Sequence, residues 1–178
     1  MAPRAFQIYL GWLDTGYFYI TEDHDIDSPP QSDKHGCVFD GECKKWNECY
    51  ALGHTIQDYD FQDACIDWAQ EKMLFEKATM TYIPHVVYGI HDQLPAHRQF
   101  AVDVAAQFWT EDTFNILEED SYSRAFMIDL LKSIGLKMRR RALAMEDHEE
   151  FFRDIGCKYH AHIALNKPCY KKIHPAYK

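Results

Sequence analysis

The sequence has little glycine and no long apolar run. Its eight glycines are scattered along 178 residues, which leaves little room for a glycine-rich loop that binds phosphate. No apolar stretch approaches the roughly 20 residues that cross a bilayer as a helix. The N-terminus lacks the basic-then-apolar order of a secretory signal, and no G-x-S-x-G motif occurs. These absences argue against a membrane protein, an exported protein and a serine hydrolase.

The six cysteines include no paired C-x2-C motif. Without an export signal, a reducing compartment and free thiols are expected, so we predict a cytoplasmic or nuclear protein. The chain is 47% hydrophobic and 15% aromatic, which is enough to form a folded core.

Charge is unevenly distributed along the chain. Residues 1–131 carry 8 basic and 23 acidic side chains, whereas residues 132–178 carry 11 basic and 5 acidic ones. The acidic part argues against nucleic-acid binding by that region. The basic C-terminal part could contact an anion, or it could lie against the acidic part of its own chain.

Apolar spacing predicts helices nearly throughout, with hardly a strand pattern. Phe6, Tyr9, Leu10 and Leu13 follow the i, i+3, i+4, i+7 pattern of one helix face, and Gly16 stands where that helix should end. Five further helices are predicted, and two of them begin at Lys44 and Pro95. Asp60, with Asp63 three residues on, is the predicted cap of the next helix after that of Lys44, Thr81 that of the following one, and Ser121 or Ser123 starts the last. We therefore predict a mainly α fold, with about six amphipathic helices in a single helical domain and a loop-rich C-terminal tail.

Composition divides the chain into two predicted regions. Residues 1–144 form the helical domain and include an acidic loop over residues 21–43. Residues 145–178 are poor in aliphatic side chains and form a basic tail rich in cysteine and histidine.

Several short motifs carry a family resemblance. Residues 6–16 read FQIYLGWLDTG, residues 49–64 read CYALGHTIQDYDFQDA, and residues 86–95 read VVYGIHDQLP. With the C-K-Y-H-x-H run from Cys157 and the P-C-Y run from Pro168, they resemble the fungal branch of the BTB/POZ-domain family. The resemblance implies a non-enzymatic protein–protein interaction module with an adaptor or oligomerisation role.

One departure limits what this resemblance implies. A complete BTB domain has strands and helices before the helix that here begins at residue 3. Those elements supply the family's dimer contacts and much of its contact with a cullin-type scaffold. The chain therefore resembles the back half of such a domain, and binding to a cullin-type scaffold is left open.

The first helix is the predicted partner-binding surface. In a complete BTB domain the missing front half should cover much of this helix. Its apolar face is therefore either available to a protein partner or to a second copy, or covered by the C-terminal segment. The predicted contact residues are Phe6, Tyr9, Leu10, Trp12 and Leu13.

The clearest chemical motif lies in the tail, where Cys157-x2-His160-x-His162-x6-Cys169 offers four ligands typical of zinc. The spacing is not that of a common zinc finger, and histidines at i and i+2 point to opposite sides of an extended chain. Two interpretations stay open: a structural zinc site, or free thiols beside surface histidines.

A short basic run near the end of the last long helix is the remaining candidate site. Its cations would complement the dipole at a helix C-terminus, or they would bind an anionic partner. The run comprises Lys137, Arg139, Arg140 and Arg141. The alternative to an interaction module is thus a zinc-stabilised protein that binds nucleic acid or another anion through its basic tail.

Overall fold

The fold is mainly α-helical, as predicted. A computed structural model describes residues 2–20, 41–92, 94–115, 122–139, 147–153 and 155–177, and no strand occurs in these ranges. The helices are α1 (Pro3–Thr15), α2 (Glu42–Thr55), α3 (Tyr59–Glu76), α4 (Ile83–Gly89), α5 (Pro95–Phe108), α6 (Glu111–Asn115), α7 (Arg124–Arg139), α8 (His148–Phe152) and α9 (Tyr170–Ile173). Six of these helices have seven or more residues, which confirms the predicted number.

The chain divides into two compact units. The first comprises Met1–Ala69 and His160–Lys178, and the second comprises Gln70–Tyr159. The C-terminal segment therefore packs with the N-terminal helices instead of forming a structure of its own. The predicted boundary at residues 144 and 145 and nearly all of the acidic loop 21–43 lie outside the described residues.

Helix α1 has two apolar faces, of which one is buried. Pro3 occupies its first turn, and Gly16 ends it with φ of 74°, donating its N–H to the Trp12 carbonyl. A left-handed residue at this position is most easily supplied by glycine, as the sequence predicted. Ala5 and Trp12 are buried, whereas Phe6, Leu10 and Leu13 are exposed.

Helices α2 and α3 form the core of the first unit. The indole N–H of Trp46 donates to the Cys65 carbonyl at 2.8 Å, and both residues are fully buried. Gly53 allows close approach of the two helices, because a Cβ there would lie 2.7 Å from Cγ of Gln62. The predicted cap of α3 was wrong. Asp58 accepts from the Phe61 N–H at 3.0 Å, so Asp60 is not the capping residue.

The second unit contains α4, α5 and α7, which pack around Phe126. Its ring lies 5.3 Å from that of Tyr88 and 5.6 Å from that of Trp109. Ser123 caps α7 by accepting from the Phe126 N–H, which decides between the two predicted serines. Thr81 does not cap α4, because the residue preceding that helix is Tyr82 and no side chain caps it.

Among the residues described, no helix combines the length and apolar character that crossing a bilayer requires.

Candidate metal centre

Four potential metal ligands come together in the C-terminal segment. One ligand atom from each of Cys157, His160, His162 and Cys169 lies within 4.8 Å of those of the other three. A tetrahedral zinc ion with bonds of about 2.0–2.3 Å holds its ligand atoms about 3.3–3.8 Å apart. Side-chain movements of about 1 Å would therefore close a site here. His160, His162 and Cys169 are buried, and Cys157 is half-buried.

Local backbone turns bring these side chains together. Gly156 precedes Cys157 with φ of 54°, and Ala161–Ile163 forms a single 3-10 turn. His160 is extended, but His162 lies within the turn, so the two residues do not share one extended segment and the expectation that they point to opposite sides does not apply. Their rings lie 5.3 Å apart. A second reversal at Asn166, with φ of 53°, then leads the chain back toward Cys169.

The imidazole of His160 is oriented by a carboxylate. Its Nε2 lies 2.7 Å from Oδ1 of Asp67, and both groups are buried. An ionised carboxylate only accepts hydrogen bonds, so Nε2 carries the proton. In a neutral ring, Nδ1 is then left with its lone pair, 3.8 Å from Sγ of Cys169. Histidine ligands of zinc usually donate their second N–H to a carboxylate or a carbonyl in this way.

His162 is held in a similar way through its other nitrogen. Its Nδ1 lies 3.2 Å from the Lys167 carbonyl oxygen, which can only accept, so Nδ1 is the donor. The remaining nitrogen, Nε2, is buried and has no hydrogen-bond partner among the described residues. An unpaired nitrogen in a buried position costs free energy unless a ligand fills its lone pair.

Two acids of α3 fix this segment in place. Asp67 accepts from His160, from the Tyr170 hydroxyl at 2.6 Å and from Nζ of Lys171 at 2.8 Å. Asp63 accepts from the backbone N–H of Ala161 at 2.6 Å. Because they stand one helical turn apart, both carboxylates point from the same face of α3 toward the tail.

The surroundings of Asp67 keep it charged. Burial by itself raises the pKa of Asp67, but the hydrogen bonds from His160, Lys171 and Tyr170 outweigh burial and hold the pKa below its usual value. Burial, followed by the charge of Asp67, raises the pKa of Tyr170 far above its usual value. The Tyr170 hydroxyl thus stays protonated and acts as a donor.

The donor set determines what this cluster can do. Two thiols and two imidazoles form a Cys2His2 set, which suits zinc in a tetrahedral arrangement. With four ligands from the protein, no coordination position is left for water or substrate, which is the pattern of structural and not of catalytic zinc sites.

The predicted partner-binding residues of α1 fall into two groups. Phe6, Leu10 and Leu13 are 40%, 49% and 46% exposed. Trp12 is only 3% exposed and lies 5.2 Å from the Phe61 ring, so this side chain is part of the core and not of an exposed face. Tyr9 is half-buried, and its hydroxyl donates to Asp58 at 2.8 Å.

The predicted basic run can be placed only in part. Lys137 and Arg139 lie in the last turn of α7. Arg140 and Arg141 lie outside the described residues.

Sequence reasoning missed the acids that support the cluster. It assigned Asp63 to the start of α3, and it gave Asp67 no role. The available signal was a pair of acids at i and i+4 within a run of apolar residues, since buried carboxylates need partners.

Comparison with known proteins gives no family for this chain. No protein-family model matches it, and neither the curated proteins nor the solved structures contain a significant match. The resemblance to fungal BTB proteins therefore stays a prediction from short motifs.

Proposed function

We propose that the chain is a non-enzymatic helical protein whose C-terminal segment is held by a structural zinc ion. Cys157, His160, His162 and Cys169 would be its ligands. The observation that carries this proposal is the orientation of the two imidazoles. In each ring one nitrogen is engaged by an acceptor, Asp67 or the Lys167 carbonyl, and the other nitrogen is turned to the cluster.

A structural metal ion suits the composition of the C-terminal segment. Among the side chains that the structure describes in residues 157–178, four are buried hydrophobic ones, those of Tyr159, Ala161, Cys169 and Tyr170. A loop-rich segment with so few apolar contacts gains much of its stability from a bound metal, because the binding free energy adds to the folding free energy.

Two of the lysines in the basic tail are paired with carboxylates of the same chain. Nζ of Lys171 lies 2.8 Å from Asp67, and Nζ of Lys158 lies 3.0 Å from Asp103. These pairs neutralise two of the cations that a nucleic-acid site would use, and they favour a structural zinc site over the nucleic-acid alternative.

Metal analysis tests the proposal directly. Protein purified without added metal or chelator should contain about one zinc ion per chain. Cobalt should replace it and give the visible absorption of a tetrahedral site, with a thiolate-to-cobalt band in the near ultraviolet. Cys157→Ser and His162→Asn should each lower the zinc content and weaken the cobalt spectrum.

Matched variants make the result specific. Cys43 is half-buried like Cys157, and His91 is an exposed histidine remote in sequence from the motif. Cys43→Ser and His91→Asn should keep the metal and the cobalt spectrum. Zinc lost equally from these controls would mean adventitious binding.

The same arrangement has an explanation without metal. Without metal, Nε2 of His160 would still interact with Asp67, and its Nδ1 could accept from the thiol of Cys169, whose Sγ lies 3.8 Å away. That explanation leaves Nε2 of His162 unpaired, whereas zinc accounts for it. Absence of zinc from the purified protein together with a featureless cobalt titration would refute the proposal in favour of this alternative.

A second function is supported by the exposed face of α1. Phe6, Leu10 and Leu13 recur at i, i+4 and i+7 and form an apolar strip on the outside of a helix whose other face is already packed. Exposed apolar strips of this kind commonly mark protein-binding surfaces.

We propose self-association through this strip. The solution mass measured by light scattering should exceed that of one chain, and Leu10→Asp should reduce it to the monomer. Gln7→Asp, at an exposed neighbouring position, should leave the mass unchanged. A monomeric wild-type protein, or an unchanged mass for Leu10→Asp, would contradict the idea.

A further inference from the structure

The second unit contains a cavity of about 320 Å³ among α4, α5 and α7. This volume is at the lower end of the range for small-molecule sites. The cavity shares no residue with the zinc centre. Its polar lining comprises Tyr88 from α4, Arg98 and Gln99 from α5, and Asp129, Lys132 and Ser133 from α7.

The guanidinium group of Arg98 is the unusual feature of this cavity. Its central carbon lies 5.0 Å from the centroid of the Tyr88 ring, a cation–π arrangement that orients the planar group. Its Nε is buried and has no hydrogen-bond partner among the residues described. Among the described residues, no carboxylate lies within ion-pair distance of Arg98.

The acid in the cavity does not neutralise Arg98. Oδ2 of Asp129 accepts from the Tyr88 hydroxyl at 3.0 Å, and Oδ1 lies 3.6 Å from Nζ of Lys132. Asp129 is therefore engaged by two neighbours, and the lining carries two cations against one anion. The hydroxyl of Ser133 adds a neutral donor on the same side of α7 as Asp129, four residues away.

From these observations we propose that the cavity binds a small ligand through an oxyanion, a carboxylate or a phosphate group, held by Arg98. A guanidinium presents parallel N–H donors that match the paired oxygens of either anion. Lys132 and Ser133 would complete the contacts around the anion.

Nuclear magnetic resonance can observe this nitrogen directly. We would titrate ¹⁵N-labelled protein with inorganic phosphate and, separately, with acetate, at an ionic strength held constant with sodium chloride. The Nε–H signal of Arg98 should shift and saturate with one or both anions. The Nε–H signal of Arg4 should not move, because that group already donates to Glu48 at 2.6 Å. Saturation by phosphate alone or by acetate alone would identify the source of the anion, and either supports the proposal.

Two variants with opposite expected effects complete the test. Arg98→Gln should weaken anion binding at least tenfold. Binding by this variant is measured from the backbone amide signals of the residues around the cavity. Asp129→Asn removes the nearby negative charge, keeps an acceptor for Tyr88 and should tighten binding severalfold, which decides the question even if Arg98→Gln fails to fold. Shifts that do not saturate, that chloride alone reproduces, or that are unchanged in Asp129→Asn would overturn the proposal.

Discussion

Asp67 offers the sharpest test of how the C-terminal segment is held. It accepts hydrogen bonds from His160, Tyr170 and Lys171, three side chains that come from the segment packed against α3. Replacing it with alanine removes the shared acceptor and leaves the three donors in place. We expect both the stability of the chain and its affinity for zinc to fall.

The size of the stability loss follows from the burial of each donor. His160 is 1% exposed and Tyr170 is 3% exposed, so water cannot readily replace the lost acceptor at either one. A buried donor left without a partner costs about 1–3 kcal/mol. The side chain of Lys171 is 40% exposed and can turn to water, so its ion pair adds little. Relief from burying the carboxylate offsets part of the cost, and we expect a net loss of about 3 kcal/mol.

The effect on metal binding has a separate cause. Without Asp67, the imidazole of His160 is no longer held in the tautomer that presents Nδ1 to the cluster. Loss of such a supporting acceptor typically weakens metal binding by about 10- to 100-fold. Asp67→Asn keeps an acceptor oxygen and should lie between alanine and the wild type in both properties.

Urea unfolding in the presence of a chelator isolates the stability term, and a competition titration with a zinc indicator gives the affinity. Asp14→Ala is the control, because Asp14 is exposed on α1 and should change the free energy of unfolding by less than about 0.5 kcal/mol. If Asp67→Ala unfolds like this control and binds zinc like the wild type, the hydrogen-bond network does not hold the segment as we describe.

Two further predictions concern packing and pH. Gly53→Ala should destabilise the chain by about 1–3 kcal/mol, because its Cβ would meet a buried side chain at 2.7 Å. The Cβ of Gly135→Ala would have nothing within 4 Å, so this variant should stabilise α7 by about 0.5–1 kcal/mol. Similar unfolding midpoints for the two would contradict the close approach of α2 and α3. Burial lowers the pKa of His148, whose ring stacks 4.1 Å from that of Phe108. This group therefore favours folding above its unfolded-state pKa of about 6.5 and opposes folding as the pH falls through that value. The stability of the wild type should thus drop more between pH 7 and pH 5 than that of His148→Phe, and parallel pH profiles would refute this assignment.

Local signals in the sequence were sufficient for most of the helices. Apolar spacing and a proline in the first turn placed α1 and α5 correctly, and a glycine after the last turn marked the end of α1. These signals act within a few residues of the helix ends. The four metal-ligand candidates were also visible, since cysteine and histidine at short spacing can converge through local turns alone.

Other features depended on contacts between distant parts of the chain. Both faces of α1 are apolar and lie about 100° apart around the helix, so periodicity could not tell which would be buried. Packing against Phe61 selected the face that carries Trp12 and left Leu10 outside. The roles of Asp63 and Asp67 required the C-terminal segment to return to α3 across more than 90 residues, and no local pattern encodes that return. Helix ends are decided by neighbours along the chain, whereas the choice of a buried face and of a partner for a buried charge is decided only when the helices meet.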